Sequence, residues 1–142
     1  MSTFPSKVDI EDLSRFRYRL RRYLRASEDL CQAAGVTVLQ YQLLLHVMGF
    51  PGREWASVGE IAERLQAKHH GVVALLDRCE RLGLVRRQGS TGDRRQVEIH
   101  LLPKGRDLVV ALAIAHRTER DTLMRALSEP GACGLGGSDG PA

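Results

Sequence analysis

Cysteine is scarce in this 142-residue chain, and the three present, Cys31, Cys79 and Cys133, form no CxxC or other close pair. An odd number of separated thiols without an export signal reads as a reduced, cytoplasmic protein. Long apolar runs are missing too. The longest, Leu108–Ala115, has eight residues, against the roughly 20 needed to cross a bilayer, so no membrane partner is expected. The opening stretch MSTFPSKVDIED lacks an apolar core followed by a small-residue cleavage site, so no secretory signal is expected. No internal repeat stands out, and no Ser/His/Asp or Cys/His set forms a catalytic motif. The chain therefore reads as a non-enzyme with no cofactor.

What is present is ordinary globular composition in the size of one domain, 43% hydrophobic and 27% charged. Lys and Arg number 21 against 17 Asp and Glu, a net charge of +4. That excess is local. Between Arg86 and Arg106 six basic residues stand against Asp93 and Glu98, and the rest of the chain balances. A localised basic segment points to nucleic acid more directly than the overall pI does.

Hydrophobic periodicity predicts an amphipathic helix over about 9–33, with a stripe through Ile10, Leu13, Leu20, Leu24 and Cys31, widened by Phe16, Tyr23 and Leu30. Thr37-x-x-Gln40 reads as a capping box opening a second helix, with Val38, Tyr41, Leu44, Leu45 and Met48 inside. A loop through Phe50-Pro51-Gly52 ends at Trp55. Ser57-x-x-Glu60 opens a short helix carrying Ile61, Ala62 and Leu65. After a turn at Gln66–Lys68, Val72, Leu75, Leu76, Cys79 and Leu82 resume the helical period up to Gly83, a left-handed cap position. Two short helices around a tight turn have helix-turn-helix spacing.

Beyond Gly83 the period changes to two. Leu84–Arg87 and Val97–Leu101 read as strands of a hairpin with a long basic tip. Pro103 suits the first turn of a last helix running to about Leu127. Leu108–Ala115 is apolar on all sides and calls for burial all round, which a partner subunit would supply. Gly131, Gly134, Gly136, Gly137 and Gly140 mark residues 130–142 as a flexible tail. The expected fold is mainly α with a small β-hairpin wing, a winged helix-turn-helix.

A helix fits the major groove of B-DNA, and a thin hairpin reaches the adjacent backbone or minor groove, where arginine is favoured. The second short helix opens with Lys68, His69, His70 and Gly71 at an anion-attracting N-terminus. Val73, Ala74, Asp77 and Arg78 lie off its buried stripe. Val73 and Ala74 can pack on thymine methyl groups but carry no hydrogen-bonding group to read base edges, so apolar base contact and mere spacing both stand open. Arg86, Arg87, Arg94 and Arg95 belong to the hairpin, and Lys68, Arg87, Arg94 and Arg95 are expected to supply phosphate or minor-groove contacts.

Ile61-Ala62-Glu63-Arg64-Leu65, Val72, Leu75-Leu76-Asp77-Arg78, Gly83-Leu84-Val85, Asp93-Arg94-Arg95 and Leu101-x-x-x-Gly105 resemble the multiple-antibiotic-resistance regulator (MarR) family over about residues 10 to 127. The resemblance implies a single domain over 1–129, with a winged-helix core about 37–102 and dimerisation helices about 9–33 and 103–128. It also implies a homodimeric repressor on a pseudo-palindromic operator in double-stranded DNA, often released by a small aromatic or phenolic ligand, or in some subgroups by cysteine oxidation. Lys68, His69, His70 and Gly71 match the start of the family's recognition helix. Arg94 and Arg95 match the wing tip, with Asp93 bracing an arginine. Two departures stand out: many members carry a polar residue and an arginine where this chain has Val73 and Ala74, and the Gly-rich tail replaces a final apolar helix.

Plainer readings cover the remaining features. The six arginines between Arg15 and Arg25 spread around their helix and read as a solvated face with inter-helix salt bridges. His69 and His70 point apart and have no ligand-spaced Cys, Asp or Glu, so no metal is expected. Cys31 sits on an apolar stripe as a core residue, with oxidant sensing as the alternative, and Cys79 fills a leucine-like core position. Tyr41 and Trp55 read as core rather than as a ligand platform. The competing functional class is a winged-helix protein-interaction module or antirepressor without DNA binding, motivated by Val73 and Ala74.

Overall fold

A computed structural model of the chain describes residues 3–89 and 96–128. Among these, the elements run α1 (Lys7–Ala33), α2 (Val38–Met48), β1 (Trp55–Ser57), α3 (Val58–Leu65), α4 (His69–Arg81), β2 (Val85–Gly89), β3 (Val97–Leu101) and α5 (Pro103–Ser128). This is a mostly helical fold with a small antiparallel sheet. No single helix among the described residues is long and apolar enough to cross a membrane. The chain divides into two compact units, Leu30–Ala115 and the segments on either side of it, so both boundaries fall inside the long helices α1 and α5.

In the Leu30–Ala115 unit the helix starts are set locally. The Thr37 hydroxyl accepts from the Gln40 N–H at 3.1 Å, and the Gln40 side chain accepts from the Thr37 N–H at 3.0 Å. Ser57 and Glu60 repeat the exchange at the head of α3, at 3.2 and 2.9 Å. Each box satisfies two backbone donors that a helix start otherwise leaves open. The core gathers Leu43, Leu44 and Val47 of α2, Ile61 of α3, Val72, Leu76 and Cys79 of α4, and Leu84, Val85 and Ile99 around the sheet. Cys31, Tyr41 and Leu112 form a second buried cluster.

The buried face of α2 is Gln40, Tyr41, Leu43, Leu44 and Val47, a correction to the expected Val38, Tyr41, Leu44, Leu45 and Met48. Leu45 is exposed, and Val38 and Met48 are half-buried. The segment is apolar nearly all round, so periodicity alone does not choose its inner face. Packing against α3, α4 and the sheet does.

The sheet has the order β1-β3-β2, all antiparallel, with Ala56 opposite Ile99 and Val85 opposite Leu101. β1 stands where a loop was expected, because three residues carry too little pattern to read and their partner lies more than forty positions on. β2 begins at Val85 and reaches Gly89, longer than the expected Leu84–Arg87.

Gly83, at φ +73°, turns the chain out of α4, and the Leu84 N–H closes on the Cys79 carbonyl at 3.0 Å. The Leu84 carbonyl then accepts from the Leu102 N–H at 2.9 Å. Gly105, in the first turn of α5, packs against the same peptide. A Cβ there would stand 3.1 Å from the Leu84 carbonyl carbon and closer still to its oxygen. Lys104 Nζ donates to the Leu82 carbonyl at 2.9 Å, near the end of α4.

In the other unit, Ser6 and Asp9 exchange backbone and side-chain hydrogen bonds at 2.8 and 3.2 Å, moving the start of α1 from the expected Asp9 to Lys7. The Ser27 hydroxyl meets His116 Nε2 at 2.8 Å, both groups buried. Arg15 pairs with Asp12 and Arg25 with Asp29 along α1 itself, where inter-helix bridges were expected. The N-terminal part of the apolar stripe of α1 faces solvent, with Leu13 61% and Ile10 47% exposed. On the part of α5 that belongs to the Leu30–Ala115 unit, Val109 and Leu112 are buried, whereas Val110 and Ile114 are exposed. The all-round burial expected for Leu108–Ala115 is thus met on one side only.

Gly105→Ala is expected to lower unfolding free energy by roughly 1–3 kcal/mol, the usual cost of forcing an extra carbon into a packed contact. Urea unfolding at fixed protein concentration measures it, and an unshifted midpoint would show that the Leu84–Gly105 contact is not a constraint.

Candidate nucleic-acid interface

α3, the turn at Gln66–Lys68 and α4 form the helix-turn-helix. Gln66 takes a left-handed conformation, φ 52° and ψ 45°, and its N–H reaches back to the Ala62 and Glu63 carbonyls. That conformation ends α3 and redirects the chain within three residues. Lys68 is the N-cap of α4 and makes no side-chain capping hydrogen bond. The first-turn amides of α4 therefore keep the positive end of the helix dipole open to an anion.

α3 is anchored from behind. The Arg53 guanidinium lies over the Phe50 ring at 4.2 Å and the Trp55 ring at 3.9 Å, and pairs with Glu60. Trp55 also stacks on His100 of β3 with centroids 6.4 Å apart. Burial pushes the Glu60 carboxyl up, but the hydrogen bonds from the Ser57 backbone and hydroxyl, together with Arg53, outweigh it and hold the group below its ordinary range. Arg106 clamps Glu54 through two hydrogen bonds of 3.3 and 2.7 Å and lowers its carboxyl likewise.

α4 buries Val72, Leu75, Leu76 and Cys79. Its other side carries the residues singled out from sequence. Lys68, His69, His70, Gly71, Ala74 and Arg78 are exposed, and Val73 is half-buried. Helical steps of four, three and four from His70 give Ala74, Asp77 and Arg81, the ridge opposite the buried stripe. Arg81, exposed in the last turn, joins this surface. The sequence reading missed it, although its spacing from His70 and Ala74 was there to be counted.

Arg87 of β2 reaches across to α4, pairing with Asp77 Oδ1 at 2.6 Å and Glu80 Oε2 at 3.2 Å. The pairs tie the root of the wing to α4 and share one guanidinium between the two acids nearest that ridge. Past Val85, Arg86, Arg87, Gln88 and Gly89 are all exposed, so β2 leaves the core after one residue. Asp93, Arg94, Arg95 and the glycine-rich segment after Ser128 lie outside the described residues.

Burial pushes the Cys79 thiol up to about 11, which leaves it un-ionised and inert at neutral pH. Cys31 is fully buried beside Tyr41 and Leu112. Among the described residues no group of three or more His, Cys, Asp or Glu is placed to hold a metal ion.

Hinge, exposed helix and projecting hairpin together define a winged helix-turn-helix. Residues 34–96 match the model of the MarR family. No curated protein matches the chain. Solved structures do. AbsC of Streptomyces coelicolor, a MarR family transcriptional regulator, superposes with a TM-score of 0.76 at 19% identity, over 91% of this chain and 86% of that one. The S. aureus MepR–DNA complex gives 0.67 at 26% identity, over 80% and 82%. A mutant E. coli MarR complexed with operator DNA gives 0.66 at 17%, over 79% of each. Over residues 34–96 the chain thus matches the MarR family model, and as a whole it has the fold of MarR family transcriptional regulators such as AbsC.

Glu60 supplies a pH test. Its folded pKa lies below the ordinary glutamate value of roughly 4.3, so its contribution to stability is present above that value and lost as pH falls through the folded one. The stability gap between the parent and Glu60→Gln should stay constant from neutral pH down to about 5 and then narrow. Chemical denaturation across that range measures it, and a gap that widens on acidification would reverse the assignment.

Proposed function

We propose that the chain is a cytoplasmic, homodimeric transcriptional repressor, and not an enzyme, that binds a pseudo-palindromic operator in double-stranded DNA. The observation that carries this reading is the exposed side of α4, basic or hydrogen-bonding at Lys68, His69 and His70 and again at Arg78, with the wing strand braced against it through Arg87. In the proposed complex Lys68, His69, His70, Gly71, Val73, Ala74 and Arg78 enter the major groove. Arg94 and Arg95 reach the backbone or minor groove from the wing tip, with Asp93 steadying them. Arg87 acts from the root of the wing, holding it in register with α4. MepR and MarR, on which the chain superposes, were solved on DNA, which supports DNA as the partner.

Residues 1–129 act as one protomer, its winged-helix core over about 37–102. Homodimerisation is supported by the aliphatic side chains left uncovered on both long helices, Ile10 and Leu13 on α1 and Val110 and Ile114 on α5. Two copies would place their recognition helices in successive major grooves, about one helical turn apart. Release by a small aromatic or phenolic effector completes the proposal. An open pocket of about 360 Å³ within the winged-helix unit, lined by Val36, Leu82, Leu84, Leu108, Lys104 and Asp107, is of a size for such a molecule.

Selection from random duplexes at low salt should enrich a symmetric site. Failure to enrich any duplex would leave the protein-interaction module as the better reading. On the selected site, Arg94→Ala combined with Arg95→Ala should weaken binding and flatten the dependence of log K on log salt by about two charges per protomer. An unchanged slope would remove the wing tip from the interface. Sedimentation at micromolar concentration should give a species of twice the 15.8 kDa chain mass, and a single monomeric species would refute the dimer.

A further inference from the structure

We propose that Val73 and Ala74 form a methyl-reading patch, through which the chain selects DNA by the 5-methyl groups of pyrimidines in the major groove. The proposal rests on the DNA-binding reading above and specifies what α4 recognises there. On the ridge opposite the buried stripe, Ala74 stands one turn beyond His70 and is exposed, with half-buried Val73 beside it. Val73 lies four residues before Asp77 and seven before Glu80, on the flank that Arg87 bridges. Asp77, the ridge's own acid, is held by Arg87 at 2.6 Å.

The centre of the outward surface is therefore aliphatic. Its surroundings are not: Lys68, His69 and His70 stand at the N-terminal end, and Arg78 and Arg81 on the C-terminal side, all exposed. An apolar centre ringed by basic and hydrogen-bonding groups is complementary to a major groove, with phosphates along its rims and the thymine C5 methyl as the apolar feature of its floor. Valine and alanine side chains have no donor or acceptor, so they cannot distinguish bases by hydrogen bonds. What they distinguish is the presence of a methyl group. Alanine's small size also lets the helix backbone come close enough to touch it. The same methyl occurs on thymine and on 5-methylcytosine, and the patch does not tell the two apart.

The test uses the full chain and the duplex obtained by selection. Each thymine is replaced in turn by deoxyuridine, which removes the methyl alone. At the sensitive position a C·G pair is then compared with cytosine unmodified and 5-methylated. At one or two positions per half-site, uracil should weaken binding about four-fold, as expected for unburying one methyl group, and 5-methylcytosine should bind tighter than cytosine. Val73→Thr, which exchanges one methyl for a hydroxyl at constant shape, and Ala74→Ser should diminish the uracil penalty in chains whose circular dichroism is unchanged. Uracil tolerated at every position of a duplex that is still bound overturns the methyl patch while leaving DNA binding intact. A penalty that persists undiminished in both variants also overturns it, because the methyl then meets other residues. If no duplex is enriched, the DNA-binding reading fails and the patch falls with it.

Discussion

The peptide of Leu84 is where the winged-helix unit is held together. Gly83 turns the chain out of α4, the Leu84 N–H closes the helix end, and its carbonyl takes the Leu102 N–H while Gly105 packs against it. One peptide thus connects the end of the recognition helix, the start of the wing and the first turn of α5. Lys104 adds a second tie at the Leu82 carbonyl. This junction helps to set where the wing strand starts, because Val85 is the one buried residue of β2 and the residues after it are exposed.

Around that junction the charged groups act mainly as braces. Arg53 lies over two rings and pairs with Glu60, fixing the head of α3. Arg106 holds Glu54 in the loop that precedes β1. Arg87 spans β2 and α4. These pairs are partly or largely exposed, so each contributes modestly to stability. Their value lies in geometry: they restrict how the helix-turn-helix and the wing move against one another.

Local signals were legible and distant ones were not. Both capping boxes could be read from four consecutive residues, because their hydrogen bonds close within one turn. Gly83 and Gly105 were legible as glycines at a helix end and in a spaced motif, and the structure supplies the reasons, a left-handed φ and a backbone approach too close for a side chain. β1 was invisible because its three residues become a strand only when β3 lies beside them. The inner face of α2 was ambiguous because nearly every position is apolar. The surface of α4 was readable as the complement of its buried stripe, yet the Asp77–Arg87–Glu80 pairing was not, since it joins residues ten and seven apart across a turn.

That pairing has a consequence for the speed of an encounter. An acidic side chain on the leading surface of a protein approaching a polyanion adds a repulsive term to the approach, which slows association at low salt. With its charge matched by Arg87 at 2.6 Å, Asp77 presents a short dipole instead of a net charge, and a dipole's field fades faster with distance than the roughly 8 Å over which salt screens a lone charge at physiological ionic strength. Glu80 shares the same guanidinium at 3.2 Å, so the trio keeps one negative charge, and the three cations Lys68, Arg78 and Arg81 outweigh it in the long-range field that a drifting duplex meets around α4.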